Sequence, residues 1–165
     1  MFVLGIDPGL TRCGYGAVEG TAGRRPTAKA GGVLATPVES PVPERLAALA
    51  RDLRSLLDEL RPDVVVVERV VFQTAVRNAI PVAQAAGLAM ALGIEAGCAV
   101  VEYAANEVKV AVTGTGSAPK EQVQKMVQSL LRLPAPPDPP DVADALALAL
   151  CHLARAPLTD LVAVS

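Results

Sequence analysis

Residues 64–72 read VVVVERVVF: six valines around one glutamate and one arginine, closed by a phenylalanine. The first four are β-branched and apolar without alternation, which predicts a strand buried on both faces. Glu68 ends that strand. A carboxylate there either marks the point where the strand meets water, since charged side chains are rarely buried unpaired, or is a rigidly held acid with a task.

The elements on either side decide what kind of sheet this strand joins. MFVLGID at 1–7 predicts a first strand, followed by the turn-forming PGLTRCG. GYGAVEG and AKAGGVLATPV, around the loop TAGRRP, predict two more strands and a hairpin-rich opening. In PERLAALARDLRSLLDELRPD, Leu46, Leu49, Leu53, Leu56, Leu57 and Leu60 fall at helical spacing and Pro62 marks the stop, giving a helix from about 43 to 60. Residues 75–95 read as an alanine-rich helix, begun or interrupted near Pro81 and apolar over much of its circumference. Such a helix needs cover on more than one side. GCAVVEYA at 97–104 is a fifth strand. KEQVQKMVQSLLRL, with Val123, Met126, Val127, Leu130 and Leu131 on one face, is an amphipathic helix. PAPPDPP at 134–140 is a stiff linker, and DVADALALALCHLARA is the last helix. The order β-β-β-α-β-α-β-α-α predicts an α/β fold: a five-stranded mixed sheet with helices on both faces, not an all-parallel one.

At 165 residues the chain suits one domain, residues 1–156, with 157–165 expected to be a flexible C-terminal tail. No stretch of about twenty residues is apolar enough for a membrane span, and no basic region or cleavage-site pattern precedes the first strand. The expectation is a soluble cytoplasmic protein with no membrane partner. Cys13, Cys98 and Cys151 are too scattered for a disulfide framework or a zinc site. His152 is the one histidine, which excludes multi-histidine chemistry and reads as structural. A net charge of −2 argues against a generally basic nucleic-acid-coating surface. Between residues 78 and 108 there is no Lys or Arg, so the cations are segregated along the chain.

Four acids stand out as a set: Asp7 and Glu68 at strand ends, and Asp141 and Asp144 opening the last helix. Singly, each has a plain reading. Asp141 or Asp144 suits a helix cap, and Asp7 before Pro8-Gly9 suits a turn. Together they are harder to dismiss, because Asp141 and Asp144 are at i and i+3, on one helix face, and both strand ends can meet that helix at one sheet edge. Converging carboxylates raise one another's pKa unless a cation offsets them. Hard oxygen donors suit Mg²⁺ or Mn²⁺. Two such ions about 4 Å apart can activate water and stabilise the leaving oxygen in phosphodiester cleavage.

GIDPGLTRCGYG, VVVVERVVF, EYAANEVKVAVTGTGSAPKEQV and PPDVADALALALCH, in this order and spacing, resemble the RuvC-type Holliday-junction resolvases of bacteria, members of the ribonuclease H-like superfamily. The resemblance covers about residues 1–155. It implies a ribonuclease H-like fold with Asp7, Glu68, Asp141 and Asp144 as catalytic residues and as ligands of two Mg²⁺ (or Mn²⁺) ions per subunit. Some relatives carry histidine where this chain has Asp141, so an all-carboxylate site is expected here. It further implies a homodimer that binds four-way junction DNA and nicks two strands of like polarity symmetrically. A branch-migration complex of the RuvA and RuvB type is the implied partner.

The implied DNA contacts are Lys109 and Lys120, which match family lysines, with Arg69 and Arg77 flanking the turn after Glu68. Many relatives place a phenylalanine three residues after the glutamate. Here that position is Val71 and the aromatic is Phe72, one place later, which makes Phe72 the stacking candidate. The alanine-rich stretch 78–94 is either the dimer interface or packed on its own sheet. Three rival readings are a nucleotide-binding protein of the actin, sugar-kinase and heat-shock type, suggested by DPGLT; an RNA-processing nuclease of the YqgF type; and a non-catalytic junction binder. The first needs a second lobe and a second phosphate loop, for which the chain has no room. The second lacks the matching GTGSAPK and DVADALA stretches.

Overall fold

The computed structural model describes residues 1–70 and 76–156, with the backbone alone at 76–78. Its elements are β1 (Phe2–Asp7), β2 (Arg12–Glu19), β3 (Thr27–Ala35), α1 (Val42–Leu60), β4 (Val64–Glu68), α2 (Val76–Glu95), β5 (Ala99–Tyr103), α3 (Ala105–Thr113), α4 (Lys120–Leu131) and α5 (Pro140–Arg155). The five strands form one sheet in the order β3-β2-β1-β4-β5. The hairpin strands β1, β2 and β3 pair antiparallel, whereas β1, β4 and β5 run parallel. The mixed sheet expected from the sequence is therefore present.

The four valines of β4 show why the sheet needs helices on both faces. Val64 and Val66 join β1 Val3 and β2 Val18 in a core closed by α3, α4 and α5. Val65 and Val67 point the other way, with Leu4, Ile6 and Ala17, into a core closed by α1 and α2. A strand without alternation is one that has an apolar layer on each side. No helix among the described residues is long and apolar enough to cross a membrane.

Three expectations are corrected. The order contains a further helix, α3, where the sequence reading left 105–119 without an element. Its Val108, Val110, Val112 and Thr113 are β-branched residues of low helix propensity, but Glu107 Oε2 accepts the Ala104 N–H and starts the turn. Gly114, at φ 82°, ends it. Secondly, Pro81 neither begins nor breaks α2, which runs continuously through it. Thirdly, Pro140 belongs to the first turn of α5, where a missing N–H costs nothing.

Helix α5 packs its backbone directly against the sheet. A Cβ on Gly5 of β1 would collide with the backbone of Ala145 and Ala149, and one on Gly14 of β2 with the backbone of Asp141. Glycine at these two points lets the helix lie directly on β1 and β2, and this fixes where its first turn ends up. The three cysteines are buried and free, and His152 Nδ1 meets the Tyr103 hydroxyl at 3.0 Å.

Candidate active site

β1 and β4 are neighbouring parallel strands with Ile6 opposite Val67. Each runs one residue further, so Asp7 and Glu68 stand side by side at the same sheet edge. Asp7 also pairs with Gly14, the residue against which the backbone of Asp141 is pressed. Sheet register and helix packing thus bring the first turns of α5, with Asp141 and Asp144, to the two strand ends.

The electrostatics confirm the convergence. Asp7 is pushed from 3.8 up to about 7, first by burial and then by Glu68, Asp144 and Asp141, with Lys120 opposing. Glu68 is raised too, by burial and Asp144, against a hydrogen bond with Asp7 and the charges of Lys120 and Lys109. Two of the acids have partners. Arg12 Nη2 and Nε donate to Asp141 Oδ2 at 2.9 and 3.3 Å, and Lys120 Nζ lies 3.2 Å from Asp144 Oδ2.

Beside the acids is a cleft of about 180 Å³, lined by Glu68, Asp144, Lys109 and Lys120 over an apolar floor that includes Val108, Val123 and Leu148. α3 supplies Lys109 and the first residue of α4 supplies Lys120, so the expected lysines do meet the acids. The β4–β5 pairing turns Arg69 elsewhere: its backbone N–H donates to the Tyr103 carbonyl at 2.8 Å, and its exposed guanidinium leans on the Glu102 carbonyl. Phe72 and Val71 lie outside the described residues, as does the Arg77 side chain.

Arg12 and a second network went unread in the sequence. Arg45 of α1 donates to Thr36 Oγ1 at 2.9 Å and to Thr11 Oγ1 at 2.7 Å, while Thr36, buried, donates to the Leu10 carbonyl. These bonds tie the loop after Asp7 to the end of β3 and the start of α1. Thr11 and Thr36 lie 34 and 9 residues before Arg45 in the sequence, so the network is legible only once β3 and α1 are known to meet there.

Among the described residues, no three His, Cys, Asp or Glu side chains are posed to hold an ion as they stand. Asp141 instead pairs with Arg12 and Asp144 with Lys120. The donor set nevertheless suits a hard divalent cation. It offers only carboxylate oxygens, and it leaves at Asp7 a buried acid whose neighbours oppose its ionisation.

The family model described as "Crossover junction endodeoxyribonuclease RuvC" matches residues 3–152. Proteins so named from Streptomyces avermitilis and Salinispora arenicola are 52% and 54% identical over 157 and 155 residues, covering 95% and 94% of this chain and 89% of each relative. Among solved structures, Thermus thermophilus RuvC in complex with Holliday junction substrate superposes with a TM-score of 0.86 at 37% identity, over 92% of both chains. The yeast mitochondrial resolvase Ydc2, at 15% identity and a TM-score of 0.66, shares the fold. With strand-end acids meeting a helix that opens on two more, and with relatives at half identity over almost the whole chain, this protein belongs to the RuvC family of crossover junction endodeoxyribonucleases.

Proposed function

We propose that this chain resolves four-way DNA junctions by paired, symmetric phosphodiester hydrolysis, leaving 5′-phosphate and 3′-hydroxyl ends. Residues 1–156 form the catalytic domain. Asp7, Glu68, Asp141 and Asp144 are the catalytic ligands of two divalent ions per subunit, Mg²⁺ or alternatively Mn²⁺. The observation that carries this reading is the meeting of all four carboxylates at one sheet edge, next to a cleft walled by two lysines.

Bound there, the ions would neutralise the acids and activate water for in-line attack on phosphorus. The chain's own part is geometric and electrostatic. Buried strands hold Asp7 and Glu68 without side-chain search, as a preorganised site requires. Lys109 and Lys120 face the same cleft and are placed to meet the oxygens of the scissile phosphate or its neighbours. Phe72, four residues beyond Glu68, is proposed to stack on the junction bases, with Arg69 and Arg77 as outer backbone contacts. A homodimer through α2 supplies the second site for the paired nick, a branch-migration complex of the RuvA and RuvB type delivers the junction, and the cytoplasm is the setting.

The test is incubation of labelled four-way junction and of linear duplex with Mg²⁺ or with EDTA. Paired nicks confined to the junction are expected, abolished by EDTA and in Asp7→Asn. Equal cutting of duplex would sink the junction assignment, and undiminished cutting by Asp7→Asn would remove the carboxylates from the chemistry.

A further inference from the structure

Arg12, the first residue of β2, has no part in the readings above. Its Nε and Nη2 both fall on one oxygen of Asp141, Oδ2, and half of its side chain remains open to solvent at the rim of the site. The pair is not a chance meeting of two long side chains. Two residues along β2, Gly14 touches the Asp141 backbone so closely that a Cβ would clash, so the roots of both partners are fixed. Ordering the pair therefore costs less entropy than it does for a typical surface ion pair.

The bond occupies one oxygen of Asp141, Oδ2, with a cation. Of the three acids that repel Asp7, Asp141 acts most weakly, and among the described residues no three carboxylates are posed around a common ion. An ion claiming Asp141 must therefore compete with a guanidinium already in place. Once released, that half-exposed guanidinium is a planar, permanently charged fork beside the acids, with the geometry suited to a phosphate.

We propose that Arg12 is a place-holding cation that exchanges Asp141 for a DNA backbone phosphate when the divalent ion arrives. The proposal rests on Asp141 being a metal ligand. It couples the two binding events, because metal frees Arg12 for DNA and DNA that draws Arg12 away frees Asp141 for metal, by equal factors. The opposite role is a tether, in which Arg12 keeps Oδ2 while the ion takes the other oxygen. The two roles differ in sign when Arg12 is removed.

Calorimetric titration of Mg²⁺ into the DNA-free protein separates them. Arg12→Ala should bind Mg²⁺ about two- to fivefold more tightly than wild type, the range set by one partly exposed ion pair, and Arg12→Lys should fall between. Junction binding, followed by anisotropy against salt with Ca²⁺ to occupy the oxygen donors, should lose about one unit of salt slope in Arg12→Ala. In EDTA the slopes of the two proteins should coincide. Weaker Mg²⁺ binding by Arg12→Ala would establish the tether and overturn the proposal. Unchanged Mg²⁺ binding, or a slope lowered equally with and without metal, would overturn it as well. Asp141→Asn keeps the two failures apart: if it binds Mg²⁺ like wild type, the ligand assignment falls and the proposal with it. If Asp141→Asn is weakened while Arg12→Ala is unchanged, only the role of Arg12 falls.

Discussion

Lys120 Nζ stands 3.2 Å from Asp144 Oδ2, bridging the first residue of α4 and the second turn of α5. The lysine is 75% exposed, so the pair contributes at most about 1 kcal/mol to stability. Its position beside Glu68 and Lys109 matters more. Asp144 above all, then Asp7 and Glu68, hold its pKa up, which keeps it positive wherever the acids are ionised. Lys120→Ala should therefore slow single-turnover junction cleavage by about a hundredfold while leaving the unfolding temperature nearly unchanged. Cleavage at the wild-type rate would show that Lys120 does not touch the reacting phosphate.

Asp7 sets a pH dependence whose sign is opposite to that of an ion-paired carboxylate. Burial and three neighbouring acids push it from 3.8 up to about 7, so the fold binds its proton more tightly than the unfolded chain does. That contribution is complete below pH 3.8 and is lost as pH rises through about 7. Glu68 shifts in the same direction. In EDTA, wild type should lose stability relative to Asp7→Asn as pH rises from 5 to 8, and at pH 8 the neutral asparagine should give the higher unfolding temperature. Mg²⁺ should reverse the ranking at pH 8, because only the ionised carboxylate binds it. Calorimetric scans of both proteins check this; a wild type that gains on Asp7→Asn with rising pH in EDTA would contradict it.

What the sequence reveals here is set by how local each cause is. Four valines without alternation report two apolar layers from within a single strand, so the sheet and its helical cover are legible. The acids are legible as well, because strand ends and a helix start are local features that place side chains at element termini. α3 is hidden because its valines have strand-like propensity and its start depends on Glu107 reaching back to Ala104. Arg12 is hidden more deeply. Its partner lies 129 residues away, and only the close packing of α5 on β2 brings the two together. The sequence places Arg69 just after Glu68, and what it does not reveal is that the β4–β5 ladder sets its exposed guanidinium near the Glu102 carbonyl rather than in the lysine-walled cleft.

The same packing makes Gly5 a lever on the site. It sits in the middle of β1, with the Ala145 and Ala149 backbone where a side chain would go, and the helix it supports carries both Asp141 and Asp144. Gly5→Ala must lift α5 from the sheet, at a cost of about 1–3 kcal/mol. In the molecules that remain folded, Mg²⁺ affinity should drop as well. Leu53→Val, a change in the buried layer on the other face of the sheet, should lower stability without that loss. Equal Mg²⁺ affinities in the two variants, measured well below their unfolding temperatures, would show that α5 spacing does not govern the ligands.

The proposed dimer makes its own demand on α2. One face of the helix is satisfied within the subunit, where Ala85, Ala86, Ala89 and Leu92 are buried against α1 and the sheet. The opposite face runs through Ile80, Gln84, Gly87, Ala91 and Ile94, all exposed and spaced alternately four and three apart, the pattern of a helix–helix seam. Ile80 is 50% and Ile94 63% accessible, and a Cβ on Gly87 would touch nothing. A second copy of α2 could approach closely at Gly87, with the isoleucines packing at either end. Gly87→Arg and Ile94→Lys should therefore sediment as folded monomers at concentrations where wild type is dimeric, and should lose paired nicking before single nicking. Met90 suits this test less well, because it is partly buried against its own subunit's core and a charge there would disturb packing within the subunit as well. If both surface variants stay dimeric, the subunits meet elsewhere and the exposed seam on α2 has another use.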